Sequence, residues 1–495
     1  MVDRVSRLKL DVQTVPKQKP EERIHNFNEV YKGFTPEQAM LEAQRCMLCE
    51  HQPCTEGCPL HNDIPAAMWY IEQGDFATAA SIFLKTSNFP DVCGRICPQE
   101  KQCEGNCVLT GRERAANIGQ LEAFVLDYVR KNYGYPKREV APSTGMKVAI
   151  IGSGPAGLAV AEELTVRGHA CTVFEQWPKP GGLLLYGIPN FKLNKELVKD
   201  KIKYLEDMGI KFVCSAKIGK KHGVEDLLNQ GFDVAFLGHG AIKGGGMKTP
   251  GEDLKNIYQA TEYLVRGNVP FEDLPPELRA LPHVGTKTIV VGGGDTGMDC
   301  VRTAKRLNPT GEVWCVYRRT EAEMPGRGAE RTHAKEEGVK FEWLTLPVKF
   351  IADDEGKVKA AECIRMKLGA PDAKGRRSPV PIEGSNFILE CDTVVLAIGY
   401  SVEPEIAEST PNLKTTKWGT IWVKTEDEAS DSGQTSREEI YAAGDNVRGA
   451  DLVVTAVASA RHAAAAMHES LTALKAAREQ AQLAQGQTGA QVPAP

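Results

Sequence analysis

One glycine pattern occurs twice in this chain, and it dictates the architecture around both copies. The first is Gly152-Ser-Gly154-Pro-Ala156-Gly157; the second is Gly292-Gly-Gly294-Asp295-Thr296-Gly297. Each follows a β-branched run and opens a helical pattern. The expected strands are Lys147 to Ile151 and Lys287 to Val291; the expected helices are Ala156 to Arg167 and Thr296 to Arg306. Strand, glycine turn and helix in that order form a βαβ unit, which commits the chain to parallel sheets and an α/β class. In such a unit the first glycine permits the tight turn, the second lets a pyrophosphate approach the backbone, and the third lets helix and strand pack closely. An anion then sits against the unpaired N–H groups and positive dipole end of the helix.

The strand after each copy separates the two ligands. After the first, Ala170 to Phe174 ends in Glu175, whose carboxylate can accept hydrogen bonds from ribose hydroxyls. After the second, Glu312 to Tyr317 ends in Arg318-Arg319. Two guanidinium groups hold a 2′-phosphate that a carboxylate would repel, so this site is assigned to NADP(H). The plainer reading of both arginines is solvated surface charge. Two dinucleotide sites in one chain usually mean a flavin and a nicotinamide. Three further small-residue turns fit a flavin domain: Phe232 to Gly240, Asp392 to Gly399, and Ile440-Tyr-Ala-Ala-Gly444-Asp445. In flavoprotein reductases such a Gly-Asp pair sets the aspartate against the ribityl chain and pyrophosphate of FAD. The flavin domain is therefore expected in two pieces, 146–284 and 396–472, with a nicotinamide domain at 285–395 inserted between them. His239 and His462 lie near these turns and read as structural histidines; Lys179 is placed by no motif.

Upstream of 146 the pattern is helical over 21–135, with segments such as Thr35 to Cys46 and Ile64 to Thr86. Eight of the fourteen cysteines fall here. They run Cys46-x2-Cys49-x4-Cys54-x3-Cys58-Pro59 and Cys93-x3-Cys97-Pro98-x4-Cys103-x3-Cys107. Clustered cysteines in a reducing compartment hold metal more often than they pair. Two zinc sites, each with four thiolate ligands, are one reading. The Cys-Pro junctions and the redox domains downstream favour iron–sulfur clusters, since zinc carries no electrons. In bacterial ferredoxins the last cysteine of a run crosses to the other cluster. By that rule Cys46, Cys49, Cys54 and Cys107 hold one 4Fe–4S cluster, and Cys58, Cys97 and Cys103 hold most of a second, with Cys93 as a candidate to complete it. The other six cysteines read as small buried hydrophobes. Residues 1–20 read as a flexible arm and 473–495 as a disordered tail whose first part can extend a helix.

Composition adds exclusions. At 42% hydrophobic and 25% charged the chain is a globular protein, and a net charge of −5 argues against nucleic acid or an anionic membrane as partner. No apolar run approaches the ~18 residues a membrane span needs, and Met1-Val-Asp-Arg-Val-Ser-Arg has no signal-peptide core, so a cytoplasmic location is expected.

Taken together, the cysteine segment, Gly152 to Gly157, Gly181-Gly-Leu-Leu-Leu-Tyr-Gly-Ile-Pro189-Asn-Phe-Lys192, Gly292 to Gly297 and Ala443-Gly-Asp445 resemble the small (β) subunits of bacterial NADPH-dependent glutamate synthase. The resemblance covers roughly 20–470. Its scaffold is shared with the electron-input half of dihydropyrimidine dehydrogenase and with the large subunit of bifurcating ferredoxin–NADP reductase. It implies electron flow from NADPH to FAD, through two 4Fe–4S clusters, to a partner. It implies FAD contacts from Gly182, Leu183 and Pro189, with Tyr186, Gly187 and Ile188 near the isoalloxazine ring. It also implies Glu122 as the carboxylate fourth ligand of the second cluster, ahead of Cys93. Glu321, Met324 and Pro325 are expected beside the NADPH site. One departure is Gly297-Met298, where relatives often have Ala-Met. The implied partner is a large subunit carrying FMN and a glutaminase, contacted through the cysteine-rich domain. The chain has no room for those domains, and Val2 offers no N-terminal cysteine nucleophile. The alternatives are a subunit of a ferredoxin–NADP or pyrimidine reductase, and a non-catalytic cofactor-binding scaffold. A disulfide reductase is disfavoured because Cys300 and Cys315 form no C-x-x-C, and covalent haem because Glu50 follows Cys49.

Overall fold

A computed structural model describes residues 4–112, 114–371, 375–424 and 432–488, with the side chains of 484–488 left undescribed. Two five-stranded parallel sheets dominate it. The first runs Ile440–Ala442, Val234–Leu237, Lys147–Ile151, Ala170–Phe174, Lys211–Val213. The second runs Ile257–Gln259, Thr393–Leu396, Lys287–Val291, Glu312–Tyr317, Lys340–Trp343. Each carries its glycine fingerprint on the central strand, followed by the helices Pro155–Val166 and Asp295–Leu307. The central strands are buried on both faces, as parallel sheets require. In the second sheet Val290 joins one apolar cluster, and Ile289 and Val291 join another on the opposite face.

The first sheet is built from two stretches of chain, because Ile440–Ala442 adds to its edge from beyond the second sheet. The chain leaves and returns along a two-stranded antiparallel ribbon, Lys243–Gly244 against Tyr400–Ser401. The expected boundary at 284/285 is therefore too late. Ile257–Gln259 already pairs with Thr393–Leu396 in the second sheet, and the helix Ala260–Asn268 packs on Asp295–Leu307. The parallel arrangement expected of the βαβ units is also interrupted. Thr345–Ala352, Val358–Pro371, Arg377–Pro381 and Phe387–Glu390 form an antiparallel sheet, whose hairpins need no crossover helix.

The N-terminal domain is helical. The expected segment Ile64 to Thr86 is two helices, Ile64–Glu72 and Phe76–Thr86. Gly74 turns the chain at φ 77°, and Asp75 caps the second helix by accepting from Thr78 N at 3.0 Å. This domain shares one apolar core with the first sheet, running from Phe83 and Phe124 to Val148 and Met467.

Both expected loose ends are corrected where described. Residues 4–20 are tied down: the Arg7 guanidinium, 4% exposed, donates to the Gln44 and Cys46 carbonyls and to Glu72 at 2.7 Å. At the other end the helix Val453–Thr488 runs through the expected start of the tail and packs on Pro155–Val166, and Arg478 pairs with Asp233. Residues 1–3 and 489–495 lie outside the described residues. Among the described residues no helix is long and apolar enough to cross a membrane.

Candidate functional site

Both fingerprints open into one cavity of about 1200 Å³ between the two sheets. Its lining includes Gly152, Gly154, Ala156, Glu175, Gly182, Leu183, Gly399 and Asp445 on one side, and Gly292, Gly294, Asp295, Thr296, Arg318 and Arg319 on the other. A Cβ on Gly154 or Gly294 would meet no atom within 4 Å, so each middle glycine faces open space. The third glycines do the opposite. A Cβ on Gly157 would sit 2.0 Å from the Gly152 carbonyl oxygen, and one on Gly297 would sit 2.5 Å from that of Gly292. Neither lines the cavity; each lets its helix close on its strand. A dinucleotide diphosphate fits both cradles.

Glu175 is held from within the chain. Its Oε2 accepts from Ser153 N at 3.1 Å and from Ser153 Oγ, and its Oε1 accepts from Trp177 N at 2.8 Å. Burial pushes this carboxyl up. Asp445 is likewise pushed up to about 6, burial being the main cause.

The two arginines part company. Arg318 is exposed at the cavity, whereas Arg319 is 6% exposed and donates from Nε to the Arg377 carbonyl at 2.7 Å, anchoring the antiparallel hairpin. That hairpin brings a third arginine, Arg376, to the cavity lining beside Arg318. Nothing in the linear sequence links residue 376 to residue 318.

Several expected neighbours of the site stand behind it. Pro189 is buried and turns the loop, its carbonyl accepting from Lys192 N and Leu193 N. Tyr186 is fully buried, with its hydroxyl between Lys179 N and the Asp273 carbonyl; Gly187 and Ile188 do line the cavity. Gly444 packs on Ala156. Pro325 lines the cavity and Met324 is buried near Gly293, but Glu321 turns away to Lys335 at 2.6 Å. Lys179 is largely exposed and His462 lies on the surface of the last helix. The reading of residues missed the Lys192–Asp299 ion pair at 2.8 Å. It is buried in the cavity wall where the two halves meet.

The cavity reaches the helical domain, because Ile96 and Cys97 form part of its wall. Two cysteine groups lie beyond. The electrostatic neighbours of Cys46 are Cys49, Cys54 and Cys107. Cys58, Cys97 and Cys103 instead neighbour one another, and each has Glu122 beside it. Cys107 thus stands with the first run and Cys58 with the second. Cys93 hydrogen-bonds Cys97 and neighbours Cys58. The helices Pro90–Ile96 and Ile118–Tyr133, which carry Cys93 and Glu122, approach closely at Gly94. A Cβ there would sit 2.6 Å from the Gly119 carbonyl oxygen.

Burial pushes the Cys46 thiol up to about 12 and those of Cys54 and Cys58 to about 11; Glu122 is also pushed up by burial. Such groups become anionic ligands only against strong local positive charge, which iron supplies. Among the described residues no three such side chains gather around a single ion. A four-iron cluster meets its ligands at four separate corners and spaces them more widely. Cys49 and Cys107 are partly exposed, whereas Cys58, Cys97 and Cys103 are buried.

Comparison with known proteins agrees with this layout. Residues 23–133 match the family described as dihydropyrimidine dehydrogenase domain II, 4Fe-4S cluster, and residues 146–460 match pyridine nucleotide-disulphide oxidoreductase. The glutamate synthase (NADPH) small chain of Azospirillum brasilense is 39% identical over 464 residues, covering 92% of this chain and 94% of that one. The Escherichia coli small chain is 38% identical over 463 residues, covering 92% and 96%. An E. coli protein named as an oxidoreductase, AegA, is 40% identical over 448 residues, covering 90% of this chain and 67% of its own. Among solved structures, Mycobacterium tuberculosis FprA in complex with NADPH shares the fold, with a TM-score of 0.54 at 20% identity, over 69% of this chain and 86% of that one.

Proposed function

This chain belongs to the pyridine nucleotide-disulphide oxidoreductase family and, within it, to the glutamate synthase small chains, and from that membership we propose that it is the electron-input subunit of a glutamate synthase. It is an NADPH-dependent flavin iron–sulfur oxidoreductase, and its cofactors are FAD, NADPH and 4Fe–4S clusters. When bound, NADPH supplies a hydride to FAD, and the pair leaves one electron at a time through the iron–sulfur clusters.

The chain's own residues orient and insulate that chemistry. Gly152, Gly154 and the first turn of Pro155–Val166 take the FAD diphosphate, with Glu175 and Asp445 facing its sugar and ribityl hydroxyls. Gly292, Gly294 and the first turn of Asp295–Leu307 take the NADPH diphosphate, and Arg318 takes the 2′-phosphate. Cys58, Cys97, Cys103 and Glu122 hold the cluster nearer the cavity. Cys46, Cys49, Cys54 and Cys107 hold the outer one. The partly exposed Cys49 and Cys107 support an exit at the surface of the helical domain, where a large subunit carrying FMN and a glutaminase would dock. That subunit makes L-glutamate from L-glutamine and 2-oxoglutarate.

The observation that carries this reading is the shared cavity, lined by both fingerprints and by Cys97. On this reading hydride donor, hydride acceptor and the first one-electron ligand set share that cavity. The test is anaerobic purification of the chain with whatever binds it. Flavin, iron and sulfide are assayed, and the flavin absorbance is followed on adding NADPH. A large FMN- and glutaminase-bearing partner is expected. Bleaching without that partner leaves a different reductase, and no bleaching leaves a scaffold.

A further inference from the structure

Arg327 is a buried cation that neither sequence reasoning nor the proposed mechanism uses. Its backbone belongs to the second fingerprint. Arg327 N donates to Asp295 Oδ1 at 3.1 Å, and Gly326 N, just before it, donates to the Gly293 carbonyl at 3.2 Å. Its side chain crosses to the helical domain, where the guanidinium donates to the Arg95 carbonyl and to Gln99 Oε1, both at 2.8 Å. Two further bonds fix the crossing. Lys101 Nζ donates to the Pro325 carbonyl at 2.6 Å, and Gly328 N donates to Glu100 Oε1 at 3.0 Å.

This guanidinium has no carboxylate of its own. It is 8% exposed, its two hydrogen-bond acceptors are neutral oxygens, and its Nε is buried with no partner among the described residues. The carboxylates that feel its charge are engaged elsewhere: Glu330 pairs with Arg302, and Glu104 accepts from Gly119 N at 3.1 Å. A buried charge that meets only dipoles is costly unless an opposite charge stands nearby. Arg327 does not line the cavity, so its charge is not offered to a nucleotide. What it does face is a cysteine turn. Gln99 lies two residues after Cys97 and four before Cys103. It is 5% exposed, and its Nε2 donates to the Gly94 carbonyl at 2.9 Å and the Cys93 carbonyl at 3.3 Å. An iron–sulfur cluster with four anionic ligands is a net anion. Its reduction adds one electron, makes and breaks no bond, and is favoured by a fixed cation nearby.

We propose that Arg327 sets the reduction potential of the cluster nearer the cavity, by holding a positive charge from the nicotinamide half of the molecule against the turn between Cys97 and Cys103. The inference rests on the reading of Cys58, Cys97, Cys103 and Glu122 as that cluster's ligands, so its test must separate the two. The holoprotein is purified anaerobically and titrated reductively, and electron paramagnetic resonance gives the midpoint of each cluster for wild type, Arg327→Gln, Arg327→Lys and Cys97→Ser. Iron and sulfide content and thermal melting report on folding.

A unit charge about 12 Å away, at an effective dielectric of about 20, changes a one-electron equilibrium about tenfold. Arg327→Gln should therefore keep its iron and lower the midpoint of one cluster by about 59 mV, the one-electron equivalent of that factor, with the other cluster unmoved. Arg327→Lys keeps the charge and should stay within about threefold of wild type. Cys97→Ser should alter the same signal that Arg327→Gln moves. Native midpoints in Arg327→Gln would overturn the proposal and leave a contact that serves only the fold. So would a midpoint that rises, an equal shift in both clusters, a shift in the signal that Cys97→Ser spares, or a lysine variant displaced as far as the glutamine one. If glutamine costs iron or melting temperature, lysine decides: native iron and midpoint uphold the role of the charge, and loss in both variants refutes it. Two native signals in Cys97→Ser would overturn the ligand reading, and the proposal with it.

Discussion

Glu337 is the buried carboxylate whose loss should be felt furthest through the molecule. It follows the helix Gly328–Glu336, and its side chain is 0% exposed. It accepts from Arg23 Nε at 2.7 Å, Arg302 Nη2 at 2.9 Å and Arg306 Nη1 at 2.8 Å. Arg302 and Arg306 lie one turn apart on the second fingerprint helix, Asp295–Leu307, with their guanidinium carbons 4.5 and 4.0 Å from the Phe191 ring centre. One carboxylate thus gathers the N-terminal segment, the second fingerprint helix and the loop after the first fingerprint. Burial alone would push Glu337 up, but Arg302 and Arg306 outweigh it and hold the carboxyl down to about 2, against an ordinary 4.5. That gap is worth about 3 kcal/mol, close to the ~3–5 kcal/mol expected when one partner of a buried ion pair is removed. Glu337→Gln keeps the shape and removes the charge. The calorimetric transition that NADP+ shifts should fall by roughly 6–12 °C at pH 7. Because the folded-state value is depressed, the stabilisation is complete above the unfolded value and lost as pH falls through the folded one. The wild-type advantage should therefore stay level from pH 8 to 5 and shrink below about 4.5. Glu336→Gln is the control: that side chain is 34% exposed and pairs with Arg23, so it should cost under about 1 kcal/mol. A Glu337→Gln transition within about 1 °C of wild type, or a gap that widens on acidification, would refute the reasoning.

Other outcomes test the ligand sites. Arg318→Ala should raise KM for NADPH about tenfold or more and leave NADH almost unchanged, since a charge-assisted bond to the 2′-phosphate is lost; a parallel change for both nucleotides argues against that contact. Arg319→Ala should instead lower the melting temperature, because this side chain anchors the Arg377 backbone. Gly294→Ala should melt like wild type and bind NADP+ about tenfold more weakly, as its Cβ meets no protein atom but enters the space kept for the diphosphate. Glu122→Ala should lose about half the iron and one of two cluster signals by electron paramagnetic resonance, whereas Cys93→Ser should keep both; the reverse pattern would make Cys93 the fourth ligand.

Much of the site was legible in the chain because its chemistry is local. The strands Lys147–Ile151, Ala170–Phe174, Lys287–Val291 and Glu312–Tyr317 fall where β-branched runs meet glycine turns, since strand, turn and helix are each decided by a few adjacent residues. The antiparallel sheet of 345–390 was not legible, because its strands pair across hairpins and carry no helix period between them. Neither was the early start of the inserted domain, since Ile257–Gln259 is three residues whose strand partner lies more than a hundred positions away.

By itself the amino-acid order determined the two glycine turns, the acidic and basic ends of the strands that follow them, and the two cysteine runs. Each depends on residue types at short fixed spacing, and backbone sterics act over that same range. Only the tertiary structure decided that the two cradles share one cavity with Cys97 in its wall. Only there does Arg319 anchor the Arg377 backbone while Arg318 stands exposed at the cavity. Those outcomes depend on which distant groups burial forces together, and a buried polar atom takes its role from whichever partner the packing leaves within reach.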